Sequence, residues 1–179
     1  NIFDNSVGVY LHGSADAIVR ENKIVGDATL RVNERGNGVT VWNAPGAQVV
    51  GNDISKGRDG IFSNTSTYNT YKNNRFSDLR FAVHYMYTND SEISGNISVG
   101  NNMGYVLMFS ERLKVFDNIA VGSRDQGIML NYVNYSDIHD NIINKAGKCV
   151  FAYNANYDKL FANHFENRSE EHTSELQSP

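Results

Sequence analysis

The sequence has few of the residues that would point to disulfides, membrane spans or nucleic-acid binding. Its 179 residues contain one cysteine, Cys149, which excludes an internal disulfide. No apolar run approaches about 18 residues, so we expect no membrane span. Lysine and arginine number 16 against 20 aspartates and glutamates, and this lack of a basic excess argues against a nucleic-acid partner.

Helical periodicity is missing as well, and a longer period takes its place. No stretch sustains apolar residues at i, i+3, i+4 and i+7. Instead, one asparagine recurs along the chain, and its last six copies are spaced 22, 22, 22, 23 and 22 residues apart. A period near 22 that is held over most of a chain is typical of a solenoid. The copies are Asn22, Asn52, Asn74, Asn96, Asn118, Asn141 and Asn163.

Each repeat also shows the alternation of β-strands. A small residue such as Ala82 opens the repeat, and apolar side chains follow one and three positions later, as in Val83 and Tyr85. Two further apolar positions, near the recurring asparagine, complete a pattern of three short strands separated by turns. We therefore predict an all-β fold, a right-handed parallel β-helix of about seven rungs over residues 1–167. The asparagines are expected at turns, in left-handed backbone geometry, and their amides are expected to stack as a hydrogen-bonded ladder.

The repeat departs from its period at three places. The gap of 30 between Asn22 and Asn52 predicts a loop that leaves the coil within residues 27–37. One extra residue near residues 124–126 predicts a bulged turn. Residues 168–179 keep neither the alternation nor the asparagine and resemble a translated sequencing adapter, so we expect an unstructured, non-native tail. The chain is expected to be a fragment of a longer protein, without end caps.

The first strand of each repeat carries an unusual outward face. If positions one and three point inward, positions two and four face solvent, where polar side chains are normal. Here those positions hold aromatic, thioether and imidazole side chains over several repeats. Such an apolar face predicts a contact surface, unless another segment covers it. The candidate partner-binding residues are Trp42, Phe62, Phe151 and Tyr153.

The same face contains a candidate metal site. His84 and Met86 are two positions apart and so lie on one face of a strand, about 7 Å from each other. Met108 falls one repeat beyond Met86, and Met129 falls one repeat further in the neighbouring column. Imidazole and thioether ligands select Cu(I) over hard cations. Methionines also fill pliable hydrophobic interfaces, and this alternative stays open.

A column of charged residues gives a second functional alternative. Arg58, Arg80 and Arg124 are assigned to one turn position, with acidic residues beside them. Such a turn is usually a solvated face. The alternative is a polysaccharide lyase or epimerase acting on acidic polysaccharide, in which basic residues neutralise a uronate. The sequence lacks the local Asp–His pairing of uronan epimerases and has only the adjacent pair His139 and Asp140.

Several runs of the chain resemble the NosD family, the β-helical maturation factors of nitrous oxide reductase. The resemblance extends in order over nearly all of residues 1–167, and HYMYTND is its most specific run. The runs are GNGVTVWNAPGA (36–47), GRDGIF (57–62), RFAVHYMYTNDSEISG (80–95), GIMLNY (127–132) and CVFAYNAN (149–156).

The resemblance implies a periplasmic accessory protein that is not itself an enzyme, so no catalytic residue is assigned. It implies three partners: the ABC transporter NosFY, the copper chaperone NosL and apo nitrous oxide reductase. The implied role is to assist assembly of the reductase's copper–sulfur centre, with copper as a transient cofactor. The resemblance transfers no ligand set to particular residues, and the His84–Met86–Met108–Met129 set rests on residue chemistry alone.

Overall fold

The computed structural model describes residues 1–166 as one coil of short parallel strands. Every pairing between strands is parallel and joins equivalent positions of neighbouring turns. One sheet has eight strands and the other two have seven each, so the coil has about eight turns where about seven were expected. The predicted all-β parallel β-helix is confirmed. Within residues 1–166, no helix combines the length and the apolar character needed to cross a membrane.

The strands form three sheets that run the length of the coil. Sheet 1 contains β1 (Ile2–Phe3), β4 (Lys23–Val25), β7 (Asp53–Ser55), β10 (Arg75–Ser77), β13 (Ile97–Val99), β16 (Ile119–Val121), β19 (Ile142–Asn144) and β22 (His164–Glu166). Sheet 2 contains β2 (Val9–His12), β5 (Val39–Trp42), β8 (Asp59–Asn64), β11 (Phe81–Met86), β14 (Met103–Glu111), β17 (Gln126–Asn134) and β20 (Lys148–Tyr153). Sheet 3 contains β3 (Ile18–Arg20), β6 (Gln48–Val50), β9 (Thr70–Lys72), β12 (Glu92–Ser94), β15 (Lys114–Phe116), β18 (Asp137–His139) and β21 (Lys159–Phe161).

The core lies inside the coil and is made by the inward positions of all three sheets. Val83 and Tyr85 of β11 are fully buried, as the alternation predicted, and so are Ile93 of β12 and Phe76 of β10. Because one turn contributes few inward side chains, each layer is stable only when the layers above and below cover it.

The recurring asparagines form the predicted ladder. Each amide Nδ2 donates to the Oδ1 of the next copy at 3.0–3.1 Å. The same Nδ2 of Asn96 also donates to the backbone oxygen of Tyr71 at 2.9 Å, and Asn96 Oδ1 accepts the backbone N–H of Asn74. One amide therefore joins three consecutive turns, which satisfies backbone groups that would otherwise be buried without a partner.

The backbone reason expected for these asparagines is wrong. The residue with positive φ is the one before each ladder asparagine, and the asparagines themselves keep ordinary backbone geometry. The left-handed conformation turns the chain, and the next side chain is then directed along the coil, where it hydrogen-bonds. The positive-φ residues are Glu21, Gly51, Asn73, Gly95, Asp117, Asp140 and Ala162.

The predicted interruptions occur where the repeat loses its period. The inserted segment leaves the coil after Gly26, contains a 3-10 turn at Val32–Glu34 and returns at Gly36. Arg35 of this loop lies 3.6 Å from Asp78, measured between Nη1 and Oδ1. The bulge is at Arg124. Backbone N–H groups of the next turn donate to the carbonyls of Ser123 and Asp125 and skip the carbonyl of Arg124. The tail predicted at residues 168–179 lies outside the described residues.

Candidate functional site

The outer face of sheet 2 has the two side-chain columns that the sequence predicted. His84 is in register with Phe62 on one side and Val106 on the other, and Val106 is in register with Met129. Met86 is in register with Met108. The strands therefore place Met86 and Met108 on adjacent turns, whereas Met129 lies two turns from His84 with Val106 between them.

This face is less open than expected. Val106 is 1% exposed and His84 is 9% exposed, although both point away from the core. Large neighbours on adjacent turns cover them, because equivalent positions are only about 4.8 Å apart along the coil. Among the candidate partner-binding residues, Trp42 and Tyr153 remain 42% and 54% exposed, while Phe62 and Phe151 are half-buried.

A charged cluster lies at the centre of this face. Asp59 begins β8, and its carboxylate accepts two hydrogen bonds from Arg80, from Nε at 2.8 Å and from Nη2 at 2.6 Å. The same carboxylate lies 3.1 Å from Nδ1 of His84. Asp59 is only 1% exposed. The expectation that this turn is a solvated face is therefore wrong for Asp59 and Arg80, which form a mostly buried, bidentate ion pair.

Aromatic rings hold the cluster in place. The imidazole of His84 lies between the rings of Phe62 and Phe81, at centroid distances of 5.1 and 5.2 Å. The guanidinium carbon of Arg80 lies 4.3 Å from the centroid of Phe81. Burial raises the pKa of Asp59, but the hydrogen bonds and charges of His84 and Arg80 outweigh it, and the pKa is lowered overall. Asp59 is therefore ionised at neutral pH.

His84 lines a small cavity. Because Nδ1 is engaged by Asp59, the ring presents Nε2, which is buried and has no hydrogen-bond partner among residues 1–166. The cavity has a volume of about 180 Å³. Its lining is Asn37, Arg58, Asp59, Phe62, Arg80, His84 and Met86. A carboxylate that orients an imidazole in this way leaves Nε2 suited to binding a metal or taking up a proton.

The methionines of the candidate metal set differ in their relation to this cavity. Met86 lines it, Met108 is in register with Met86, and Met129 is in register with Val106. The described residues contain no group of three or more His, Cys, Asp or Glu side chains placed to hold a metal ion. Any metal at this site would therefore depend on the thioethers beside His84.

The expected column of three arginines does not form. Arg80 donates its backbone N–H to the carbonyl of Arg58 at 2.7 Å, so these two are neighbours. The column continues with Asn102 and Asp125, because Arg124 is the bulged residue. Sequence reasoning therefore missed the pairing of Asp59 with Arg80 and His84. The available signal was their spacing: Asp59 and His84 are one period and three residues apart, hence on adjacent turns.

A second feature that the sequence analysis missed is an aromatic stack along the C-terminal side of sheet 2. Tyr87, Phe109 and Tyr132 occupy equivalent positions in three turns, with centroids 5.3 Å apart. All three have positive φ, between 49° and 54°, which is uncommon for bulky side chains. Because the rings stack on one another, mainly their edges face outward.

Comparison with known proteins identifies relatives over most of the chain. Residues 20–174 match the family model described as "Periplasmic copper-binding protein (NosD)". A Stutzerimonas stutzeri protein named "Probable ABC transporter binding protein NosD" is 34% identical over 177 residues, covering 90% of this chain and 41% of that protein. A Pseudomonas aeruginosa protein of the same name is 34% identical over 172 residues, covering 88% and 40%. The chain thus spans about two fifths of the length of these relatives.

Solved structures share the architecture at low sequence identity. An alginate lyase from Paenibacillus sp. str. FPU-7 superposes with a TM-score of 0.70 at 11% identity, covering 92% of this chain and 70% of the lyase. The periplasmic alginate epimerase AlgG superposes with a TM-score of 0.67 at 13% identity, covering 91% and 48%. At these identities the likeness shows the fold alone.

The family assignment follows from the sequence matches. The family model covers most of the chain, and two relatives keep 34% identity over about nine tenths of it. The resemblance seen in the HYMYTND run is confirmed at the level of the family, and that run contains His84 and Met86. This chain belongs to the NosD family.

Proposed function

We propose that this chain is the β-helical part of a periplasmic accessory protein that assists assembly of the copper–sulfur centre of nitrous oxide reductase. In this role it docks an ABC transporter, a copper chaperone and the apo-reductase, and it is not itself an enzyme. The proposal is supported by the family's description as periplasmic and copper-binding and by the relatives' name as ABC transporter binding proteins. The open, aromatic ends of the sheet 2 face, at Trp42 and Tyr153, suit protein contacts.

One observation carries the copper part of the proposal: His84, whose Nε2 is buried and has no partner among residues 1–166, lines the same cavity as Met86. Asp59 holds the ring by Nδ1, which is the usual arrangement behind a metal-binding imidazole. The residues therefore fit a soft cation. His84 and Met86 would hold Cu(I). Met108, in register with Met86, would be the next ligand in importance, and Met129 would contribute least because it lies beside Val106. Bound copper would supply a transferable Cu(I) ion and no redox step.

We expect the His84→Ala/Met86→Ala protein to bind Cu(I) at least about 100-fold more weakly than the unaltered protein, because both inner ligands are lost. The measurement is competition against a chromophoric Cu(I) chelator under anaerobic conditions, with the full-length gene product. Circular dichroism checks that the β-helix is retained.

His12→Ala is the matched control, because His12 is an exposed histidine on the same face, in β2. It should leave Cu(I) affinity unchanged. Met129→Leu should have a smaller effect than Met108→Leu. Equal Cu(I) affinity in the double variant and the unaltered protein would remove the copper site.

Docking makes a separate prediction. Met86→Asp and Met108→Asp should each abolish capture of the copper chaperone or the apo-reductase, because a carboxylate would then be buried in an apolar contact. Capture is measured with purified partners and immobilised full-length protein. Ile142→Asp is the control, since Ile142 is exposed on sheet 1, away from this face. Undiminished capture by both methionine variants would contradict a docking role for the sheet 2 face.

A further inference from the structure

We propose that the cavity beside His84 binds a small carboxylate anion between Arg58 and Arg80, a ligand different from the copper ion proposed above. The inference rests on the charges and the lining of the cavity, and it does not require the copper proposal to be correct.

The charges around the cavity do not balance. Among residues 1–166, Asp59 is the one acidic residue in its lining, and Arg80 and His84 already occupy its carboxylate. Arg58 also lines the cavity, is exposed, and has no ion pair or hydrogen bond from its side chain among residues 1–166. Arg58 is thus the charged group of this lining that is open to an anionic ligand.

The geometry of the donors suits a carboxylate. The backbones of Arg58 and Arg80 are hydrogen-bonded neighbours on adjacent turns, so both side chains leave the coil at the same position. Asp59 engages Nε and Nη2 of Arg80, which leaves Nη1 as the available nitrogen. The fork of Arg58 matches the two oxygens of a carboxylate.

The walls of the cavity suit a small carboxylate. Its volume of about 180 Å³ is enough for a small organic anion. Phe62 and Met86 supply an apolar wall opposite the charged groups, and this suits the short alkyl part of a small carboxylate.

The test is a titration of the metal-free, full-length protein with acetate, using acetamide as an uncharged probe of the same shape. Binding is followed through the imidazole carbon-bound protons of His84 by nuclear magnetic resonance, with signals assigned from a His84→Ala protein. Acetate should shift the His84 signals to saturation, and acetamide should not. Arg58→Ala should weaken acetate binding at least about tenfold, as expected for the loss of charge-assisted hydrogen bonds. Because Arg58 is exposed and unpaired, this variant should fold normally.

Arg75→Ala is the matched control, since Arg75 is an exposed arginine on sheet 1 and should not affect acetate binding. Equal binding of acetamide, or an Arg58→Ala protein that binds acetate normally, would overturn the proposal. Tighter binding of galacturonate than of acetate would also overturn it, in favour of a sugar ligand. Arg58→Ala should keep its Cu(I) affinity, so that the failure of the anion site and the failure of the copper site are distinguishable.

Discussion

Replacing Asn96 by alanine is expected to lower the free energy of unfolding by about 4 kcal/mol. Asn96 Oδ1 accepts the N–H and the Nδ2 of Asn74, and Asn96 Nδ2 donates to Tyr71 and to Asn118. The alanine leaves at least the Asn74 N–H and the Tyr71 carbonyl buried without these partners, and each such group costs about 1–3 kcal/mol. The midpoint of urea unfolding, followed by circular dichroism, measures the loss.

Asn22→Ala is the matched control because Asn22 begins the described ladder. Asn22 Nδ2 donates to Arg20 and Asn52, but no group among residues 1–166 donates to its Oδ1. Its replacement therefore removes two donated hydrogen bonds and leaves no N–H without an acceptor. The loss in free energy of unfolding should then be about 1 kcal/mol. Equal losses for Asn22→Ala and Asn96→Ala would show that the ladder does not act by satisfying buried backbone groups.

Replacing Asp59 by alanine should cost about 3–5 kcal/mol, because it leaves the guanidinium of Arg80 mostly buried and without its counter-charge. Asp90 is the matched control. Arg112 binds its carboxylate in the same bidentate way, at 2.6 and 3.0 Å, but on the surface. Asp90→Ala should therefore give a much smaller loss, since solvent screens exposed ion pairs. The losses in stability of the two variants are compared by thermal and urea unfolding under the same conditions.

The Asp59 contribution should also depend on pH. Its pKa is lowered in the folded protein, so the stabilisation is complete above the unfolded pKa of about 3.9 and is lost as pH falls towards the folded value. The difference in stability between the unaltered protein and Asp59→Asn should thus be constant near neutrality and shrink below about pH 4. A difference that stays constant down to the acid limit would show that the charge of Asp59 is not what stabilises the cluster.

Part of the candidate site was predictable because the repeat assigns positions. The period places His84 beside Met86 and Met86 beside Met108 without any knowledge of the structure, and the register is as expected. The apolar inward positions, such as Val83 and Tyr85, follow from the alternation in the same way. Such positions are predictable because a parallel coil repeats one geometry at every turn.

The cluster around Asp59 was not predictable in the same way, because it depends on side-chain directions at the edge of a strand. The sequence pattern places Asp59 and Arg80 in a turn, where charges are normally solvated. The structure instead buries the pair under Phe81 and His84. Arg124 was misplaced for a related reason: one bulged residue shifts the turn position without disturbing the strands that the pattern detects.

The sequence by itself determined the parallel β-helix, the asparagine ladder, the places where the period breaks and the resemblance to NosD. These follow from which residue types recur, since a period of about 22 residues leaves no other architecture that buries the alternate side chains. Only the tertiary structure decided that Asp59 neutralises Arg80, orients His84 and leaves Nε2 without a partner, and that His84 lines a cavity with Arg58. The physical reason is that burial and hydrogen-bond direction arise from packing between adjacent turns, and a linear pattern records the turn to which a residue belongs but not the partner that its side chain reaches.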